Sequence, residues 1–557
     1  MTGEADTDNS KVEPINHTIQ EGEEEKKKSG KYGVISNAVN FIGGVSFLGL
    51  PFAIKESGLI GGLCFLGLVA ILTEWSHRLI VESSKFHHKL QYASIESYEA
   101  LVGTPFGRVG ERVLLFSVFV VAFGACVEFT VMIKDLLFTL MNGGTMHLIV
   151  VWSIFIAPLT WIKDLSSLTF VSILSLGLSA FLVAVIMIEA PWYENVVSHG
   201  GLAQVMQDYA FRSHVFTTIS IFTEVFAWQH GIFQFFNSLR RPTIHRWRFV
   251  TTKVNSIISI IYIMVSVPAY LGYLDDTTGD IFLSLPSQGT GSTLTNIARL
   301  CFLFICIFTL PLEMMVAKDV IKAAFNRLSS IDDDAYVHGA STNIVQSSTF
   351  CSIFISGREL LIVILLDLLA LGLGILFKDL GDACALVGAI GGSLASFIIP
   401  GLVYLGVNGD DFIAWTNHLL LGPDHSTNIT TTVIDGYNTN PDVRVYLTDR
   451  PKPWWYYLLG FPIWCFVADW GAAGVTDKIK GTVIIANYTK DSSIVSPQYT
   501  EHRPSSSDYF IYNDLDSNSN NTIVLSGKRG TRGKFIIAIC LILAGLTTLV
   551  VGIIERF

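Results

Sequence analysis

Charge is what this chain has least of. Asp, Glu, Lys and Arg make up 15% of its 557 residues, against about 25% in an ordinary soluble domain. Half of the chain is hydrophobic, at 50%, and its mean hydropathy is +0.49. That balance excludes an ordinary soluble protein and points to a polytopic membrane protein. The net charge of −10 falls mostly in tails and loops, so it gives no reason to expect a nucleic-acid partner. Paired cysteines are also missing. Cys64, Cys126, Cys301, Cys306, Cys351, Cys384, Cys465 and Cys540 lie mostly inside apolar runs. No C-x-x-C and no Cys/His cluster with zinc spacing occurs, so buried thiols are expected rather than a disulfide framework or metal site. A P-loop, a metal-site motif and a nucleophile elbow are absent too, which argues against an enzyme. Nor is there an apolar leader: the first thirty residues are polar and acidic. The first membrane segment is therefore expected to act as the targeting signal.

What the chain does have is a series of apolar runs. A span needs about 20 apolar residues. By that rule spans 1 to 5 fall near 32–54, 58–82, 112–140, 146–162 and 165–189. Spans 6 to 10 fall near 213–237, 248–273, 294–325, 358–377 and 382–406, and the last clear span is 534–553. The expected class is an all-α polytopic membrane protein with eleven transmembrane helices. Residues 1–31, with the run GEEEKKKSGK, read as a disordered tail. Residues 32–406 read as a ten-helix transport core, 407–533 as a polar insertion and 534–557 as the last helix. Inside the insertion, 452–475 is apolar, short and Trp-flanked, fitting an interfacial helix or a twelfth span. The sequons at Asn428, Asn487 and Asn520 distinguish the two, because a twelfth span would put the last two outside.

Orientation follows from Lys and Arg in short loops. The loops after spans 2, 6 and 8 are basic, the one after span 6 reading NSLRRPTIHRWRF. The loops between spans 5 and 6 and between 7 and 8 are nearly free of Lys and Arg. Even-numbered spans are expected to end in the cytosol, with a cytosolic N-terminus.

Span 1 is interrupted. It reads YGVISNAVNFIGGVSFLGLPFAIKESG, with Gly43 and Gly44 adjacent and Gly49 and Pro51 close behind. Interior Gly costs about 1 kcal/mol and Pro about 3 kcal/mol in a helix. In lipid, a broken helix is tolerated where its freed backbone groups are buried in protein or line a cavity. Such a break can bind a solute. Paired interruptions in the two halves of a chain are the sequence pointer to a transporter site. In span 6, Trp228, Gln229, His230 and Gly231 form a polar centre between apolar flanks. A half-helix starting near Ser46 would aim the N–H groups of Gly44, Val45 and Ser46 at an anion. The opposite ends offer carbonyls to a cation, so an amino-acid zwitterion suits the pair of breaks. Asn40, about one turn before the break, is either a hard neutral ion ligand or an interhelical hydrogen-bonding group.

Four stretches carry a resemblance. They are SNAVNFIGGVSFLGLPFA (36–53), FAWQHGIFQFFNSLRRPT (226–243), FTLPLEMMVAKDVI (308–321) and GAIGGSLASFIIPGLVYL (388–405). Together they resemble the amino acid/auxin permease family, and within it the sodium-coupled neutral amino acid transporter branch. The resemblance implies a 5+5 inverted repeat of the leucine-transporter type, with spans 1 and 6 broken. It implies that Asn40 and Thr309 hold sodium, and that substrate lies against Gly43, Gly44, Val45, Ser46, Ala227 and His230. The family usually has Gly where this chain has Ser46. His230 matches a His found in part of the family, and it or Glu313 could take a proton instead. Glu128, Glu224 and Asp367 are further ionisable groups in apolar runs, read as ion-paired or protonated between helices.

The expected function is a secondary active transporter of neutral amino acids, driven by sodium or, alternatively, by protons. A reading of another class is an amino-acid sensor signalling through cytosolic segments. Cofactors are not expected beyond the coupling ion. The expected partners are a small-molecule amino acid and the bilayer, with a monomer in the plasma membrane or a vacuolar or endolysosomal membrane.

Overall fold

The first described helix ends at Ile42, and the next described segment begins at Ser46. The computed structural model describes residues 28–42, 46–85, 90, 95–162, 169–285, 293–329, 357–409, 412, 432–433, 446–447 and 529–555. Helix α1 (Lys31–Ile42) precedes the break, and a single 3-10 turn, Ser46–Gly49, follows it. That turn leads into α2 (Leu50–Ser57), and the two segments are bent by 64°. Pro51 stands in the first turn of α2, where its missing N–H has no intrahelical partner to lose. Gly58, at φ 82, ends α2. A Cβ there would lie 2.7 Å from the Ala210 carbonyl oxygen, so both the turn and the close approach require glycine.

From Gly58 the chain enters α3 (Leu59–Lys85) and then α4 (Tyr98–Met141). Helix α4 begins well before the expected 112, because Ser97 caps it through the Ala100 N–H. Pro105 and Gly107 (φ 59) kink it without ending it. Next come α5 (Thr145–Thr160) and α6 (Thr169–Glu189), followed by two short helices, α7 (Trp192–Ser198) and α8 (Leu202–Asp208). The chain continues with α9 (Val215–Val225), a 3-10 turn at Gln229–Gly231, and α10 (Ile232–Ser238). It continues through α11 (Ile244–Tyr273), α12 (Ile281–Ser284), α13 (Thr293–Ser329) and α14 (Gly357–Leu376). It closes with α15 (Leu380–Val407) and α16 (Arg529–Ile554). In the insertion, a two-residue ladder pairs β1 (Thr432–Val433) with β2 (Tyr446–Leu447), antiparallel. The segment 452–475, the three sequons and residues 1–27 lie outside the described residues.

Among the described residues, eight helices are long and apolar enough to cross a membrane, or nine if the α1–α2 pair is one span. The sequence expectation of eleven also counts α5, which is short, and the interrupted α9–α10. Burial separates interior helices from lipid-facing ones. In α15 78% of the most apolar window is buried and in α4 67%, but in α14 and α16 only 28%. Ile71, Phe116, Ile188, Leu365, Leu368 and Val550 are exposed, as an apolar surface facing lipid tails requires.

The interior helices are irregular, and other helices satisfy the groups this frees. Helix α15 contains two π-helical turns, Gly388–Gly392 and Leu394–Ile398. Ser117 of α4 donates to the Gly391 carbonyl at 2.8 Å, and Tyr98 donates to the Ala395 carbonyl at 3.0 Å. In lipid an unpaired backbone group costs several kcal/mol, so these hydroxyls make the bulges affordable. At one end of the bundle Glu82 of α3 pairs with Arg248 of α11 and, at 2.6 Å, with Lys534 of α16.

Packing at Gly388 gives a test. A Cβ there would run into the Ser220 carbonyl oxygen of α9, whereas one at Gly372 would meet nothing within 4 Å. Gly388→Ala is expected to destabilise the fold by roughly 1–3 kcal/mol, read as a lower thermal-unfolding midpoint in detergent. Gly372→Ala is expected to be neutral or stabilising by up to about 1 kcal/mol. Equal midpoints for the two variants would contradict this packing.

Candidate functional site

The two interruptions meet. Phe41, in the last turn of α1, lies against the His230 ring at 5.2 Å and against Phe235 at 5.3 Å between centroids. Gly231 allows this approach: a Cβ there would be 3.1 Å from both Phe41 and Phe235. Beyond the first break, Ser46 reaches Glu224 in the last turn of α9. The segments before and after the first break therefore both touch the second.

The second break is organised by backbone bonds. Ala227 N–H donates to the Glu224 carbonyl at 2.9 Å, and Gly231 N–H donates to the Trp228 carbonyl at 3.1 Å. The Tyr262 hydroxyl of α11 donates to the Val225 carbonyl at 2.7 Å, satisfying one of the orphan carbonyls of the α9 C-terminus. Gln229 is buried; its side-chain oxygen accepts from Ser396 of α15 at 2.8 Å, and its Nε2 has no partner among the described residues. The Trp228 ring lies tilted against the fully buried His77 of α3, 4.0 Å between centroids.

At the first break all four residues of the turn, Ser46 to Gly49, are buried. Ser46 Oγ lies 2.7 Å from Glu128 Oε2 of α4 and 2.8 Å from Glu224 Oε1 of α9. Glu128 is 0% exposed and Glu224 9%. The thiol of Cys384, at the start of α15, has its sulfur within 4.8 Å of both carboxyl groups. The outer oxygens, Glu128 Oε1 and Glu224 Oε2, are buried without an N–H or O–H donor among the described residues. Thr218 of α9 donates to the Ala53 carbonyl of α2 at 2.7 Å, fixing the second half of the broken helix against α9.

The residues expected from sequence fall into three groups. Ser46 reaches Glu224 and His230 meets Phe41 across the breaks, and Ala227 lies in the second break beside them, with Ala227 and His230 half-buried. Gly43, Gly44 and Val45 lie outside the described residues. Asn40 on α1, and Thr309 and Glu313 on α13, are half-buried, and their side chains have no hydrogen-bond partner among the described residues. Asp367 accepts from Thr160 at 2.8 Å, an interhelical bond between α14 and α5. The sequence names Glu128 and Glu224 but does not bring them to Ser46. It also gives no role to Cys384 or His77. An intramembrane carboxylate in each of α4 and α9 was the available signal; their convergence depends on how the helices pack.

Known proteins are similar to this chain in sequence. The chain is 26% identical over 404 residues to vacuolar amino acid transporter 2 of Saccharomyces cerevisiae, covering 69% of this chain and 78% of that protein. It is 24% identical over 398 residues to a Mus musculus protein with the provisional name sodium-coupled neutral amino acid transporter 11, covering 69% and 79%. Among solved structures, a nucleobase-cation-symport-1 family transporter, closed with bromovinylhydantoin bound, aligns with 71% of this chain and 79% of its own. The identity is 13% and the TM-score 0.41. The sequence pattern of the transmembrane amino acid transporter protein family matches residues 26–422, and the chain belongs to that family.

Proposed function

We propose that this protein is a secondary active transporter that moves neutral amino acids across a membrane by alternating access. The observation that carries the proposal is the meeting of the two interrupted helices through Phe41 with His230 and Ser46 with Glu224. An amino-acid zwitterion placed there would set its carboxylate at the start of the Ser46–Gly49 turn, where helix N–H groups converge. Its ammonium group would face free carbonyls of the α1 and α9 ends. Gly43, Gly44, Val45, Ser46, Ala227 and His230 are the proposed substrate-binding residues. Eleven spans in a 5+5 inverted repeat, a cytosolic N-terminus and a monomer complete the reading, in the plasma membrane or a vacuolar or endolysosomal membrane.

The coupling ion has two readings, each with its own support. Sodium would sit at Asn40 and Thr309, two neutral oxygen donors whose hydrogen-bonding capacity is unspent among the described residues. A proton would sit on a buried carboxyl group or on His230; of these, Glu313 on α13 is one turn from Thr309 and shares its helix face.

Purified protein in proteoliposomes is expected to accumulate radiolabelled neutral amino acids against their gradient when a sodium or proton gradient is imposed, and to lose accumulation when the gradient is dissipated. Tight binding with negligible flux would instead favour an amino-acid sensor. On the sodium reading, Asn40→Ala abolishes sodium-stimulated uptake while the protein still inserts. Unchanged sodium dependence in that variant would remove Asn40 from the ion site.

A further inference from the structure

Ser46 sits between two acids and has only one proton to give. Its hydroxyl oxygen is 2.7 Å from Glu128 Oε2 and 2.8 Å from Glu224 Oε1. A serine hydroxyl has one O–H donor and two acceptor lone pairs, whereas an ionised carboxylate only accepts. If both acids were ionised, one carboxylate would face a serine lone pair at hydrogen-bond distance, with only the weak thiol donor of Cys384 beside the pair. The arrangement closes when one carboxyl group is neutral and donates to Ser46, which then donates to the other.

A second observation comes from the outer oxygens. Glu224 Oε2 is buried with no partner among the described residues, and Glu128 Oε1 has no N–H or O–H donor there, the Cys384 thiol being the one weak donor beside Glu128; both residues are at least nine-tenths buried. No Lys, Arg or His pairs with either carboxyl group among the described residues. The other titratable groups acting on the pair are Cys384 from α15, Glu313 from α13, Tyr262 from α11 and Cys126 from α4. None of these is cationic. Two adjacent charges with unpaired oxygens in such surroundings would be very costly, and one bound proton removes half of that charge.

We propose that Glu128 and Glu224 hold one proton between them through Ser46, and that this proton is the ion that travels with the amino acid. This rests on the transport reading above and names the group for its proton alternative. Ser46 is placed to link proton and substrate, because it opens the turn after the first break and belongs to the proposed substrate contact. When the Ser46 turn and α2 move away from α9, the Thr218–Ala53 bond opens and Ser46 leaves Glu224. The acid's O–H bond then breaks, the proton passes to water on the open side, and a carboxylate remains. Rebinding a proton restores the bridge. The usual family glycine at this position could not make it.

The test has two independent arms. Infrared spectra of the purified protein in lipid at neutral pH are expected to show a carboxylic-acid C=O band that disappears in both Glu128→Gln and Glu224→Gln. In Ser46→Ala, which keeps both acids, the band shifts in position. A band absent from the wild type, or present and indifferent to all three substitutions, overturns the proposal. In proteoliposomes, an inward gradient of about one pH unit is expected to raise amino-acid accumulation about tenfold at one-to-one coupling. That ratio falls to about one in either Gln variant. An unchanged ratio in both Gln variants overturns the proposal, as does wild-type flux that ignores the pH gradient, although the latter leaves the transport reading standing. An acid band with no amino-acid flux under any gradient defeats the transport reading instead. Binding of manganese or zinc alone that depends on Glu224 and Cys384 overturns the proton assignment in favour of a metal site.

Discussion

The contact on which the rest of the architecture depends is the one Ser46 makes with Glu128 and Glu224. It joins the first turn after a broken helix to α4 and α9, inside a protein whose outer surface is apolar. A polar group there has no water to fall back on, so each must find a partner within the protein or carry a cost. The same constraint explains several other contacts. Tyr262 satisfies the Val225 carbonyl at the end of α9, and Ser117 and Tyr98 satisfy the carbonyls freed by the π turns of α15. Thr218 holds the Ala53 carbonyl. These hydroxyls allow helices to stop, bulge and restart in the interior.

A break that is supported in this way can respond to a ligand. The two breaks share Phe41, His230 and Gly231 on one side and Ser46 and Glu224 on the other. The proposed substrate, bound between these contacts, would touch both interrupted helices. A solute that binds one arrangement of the halves more tightly than the other shifts their balance by that difference in affinity. On the proposed proton coupling, the cation would bias the same balance from the acid pair that Ser46 bridges.

Much of this could be read from sequence because glycine and proline act locally. Gly43, Gly44 and Pro51 mark the first break, and the polar run from Trp228 to Gly231 marks the second. The apolar runs located most helices, and the four matched stretches led to the correct family. Two other features could not be read this way. The start of α4 at Tyr98 depends on a Ser97 cap and a tolerated kink at Gly107, which hydropathy does not register. The meeting of Glu128, Glu224 and Cys384 depends on helix packing, and residues so far apart in the chain leave no local pattern. Ser46 shows the difference well. As a departure from the family's usual glycine it suggests a change in side-chain room; in the structure it is a hydrogen-bonding bridge.

The central claim is that the two breaks form one substrate site. Hydrogen exchange of the protein in lipid, with and without a saturating neutral amino acid, tests this most directly. The account predicts that substrate slows backbone exchange at residues 40–48 and 224–232 together. Protection of only one break, or protection confined to other helices, would contradict it.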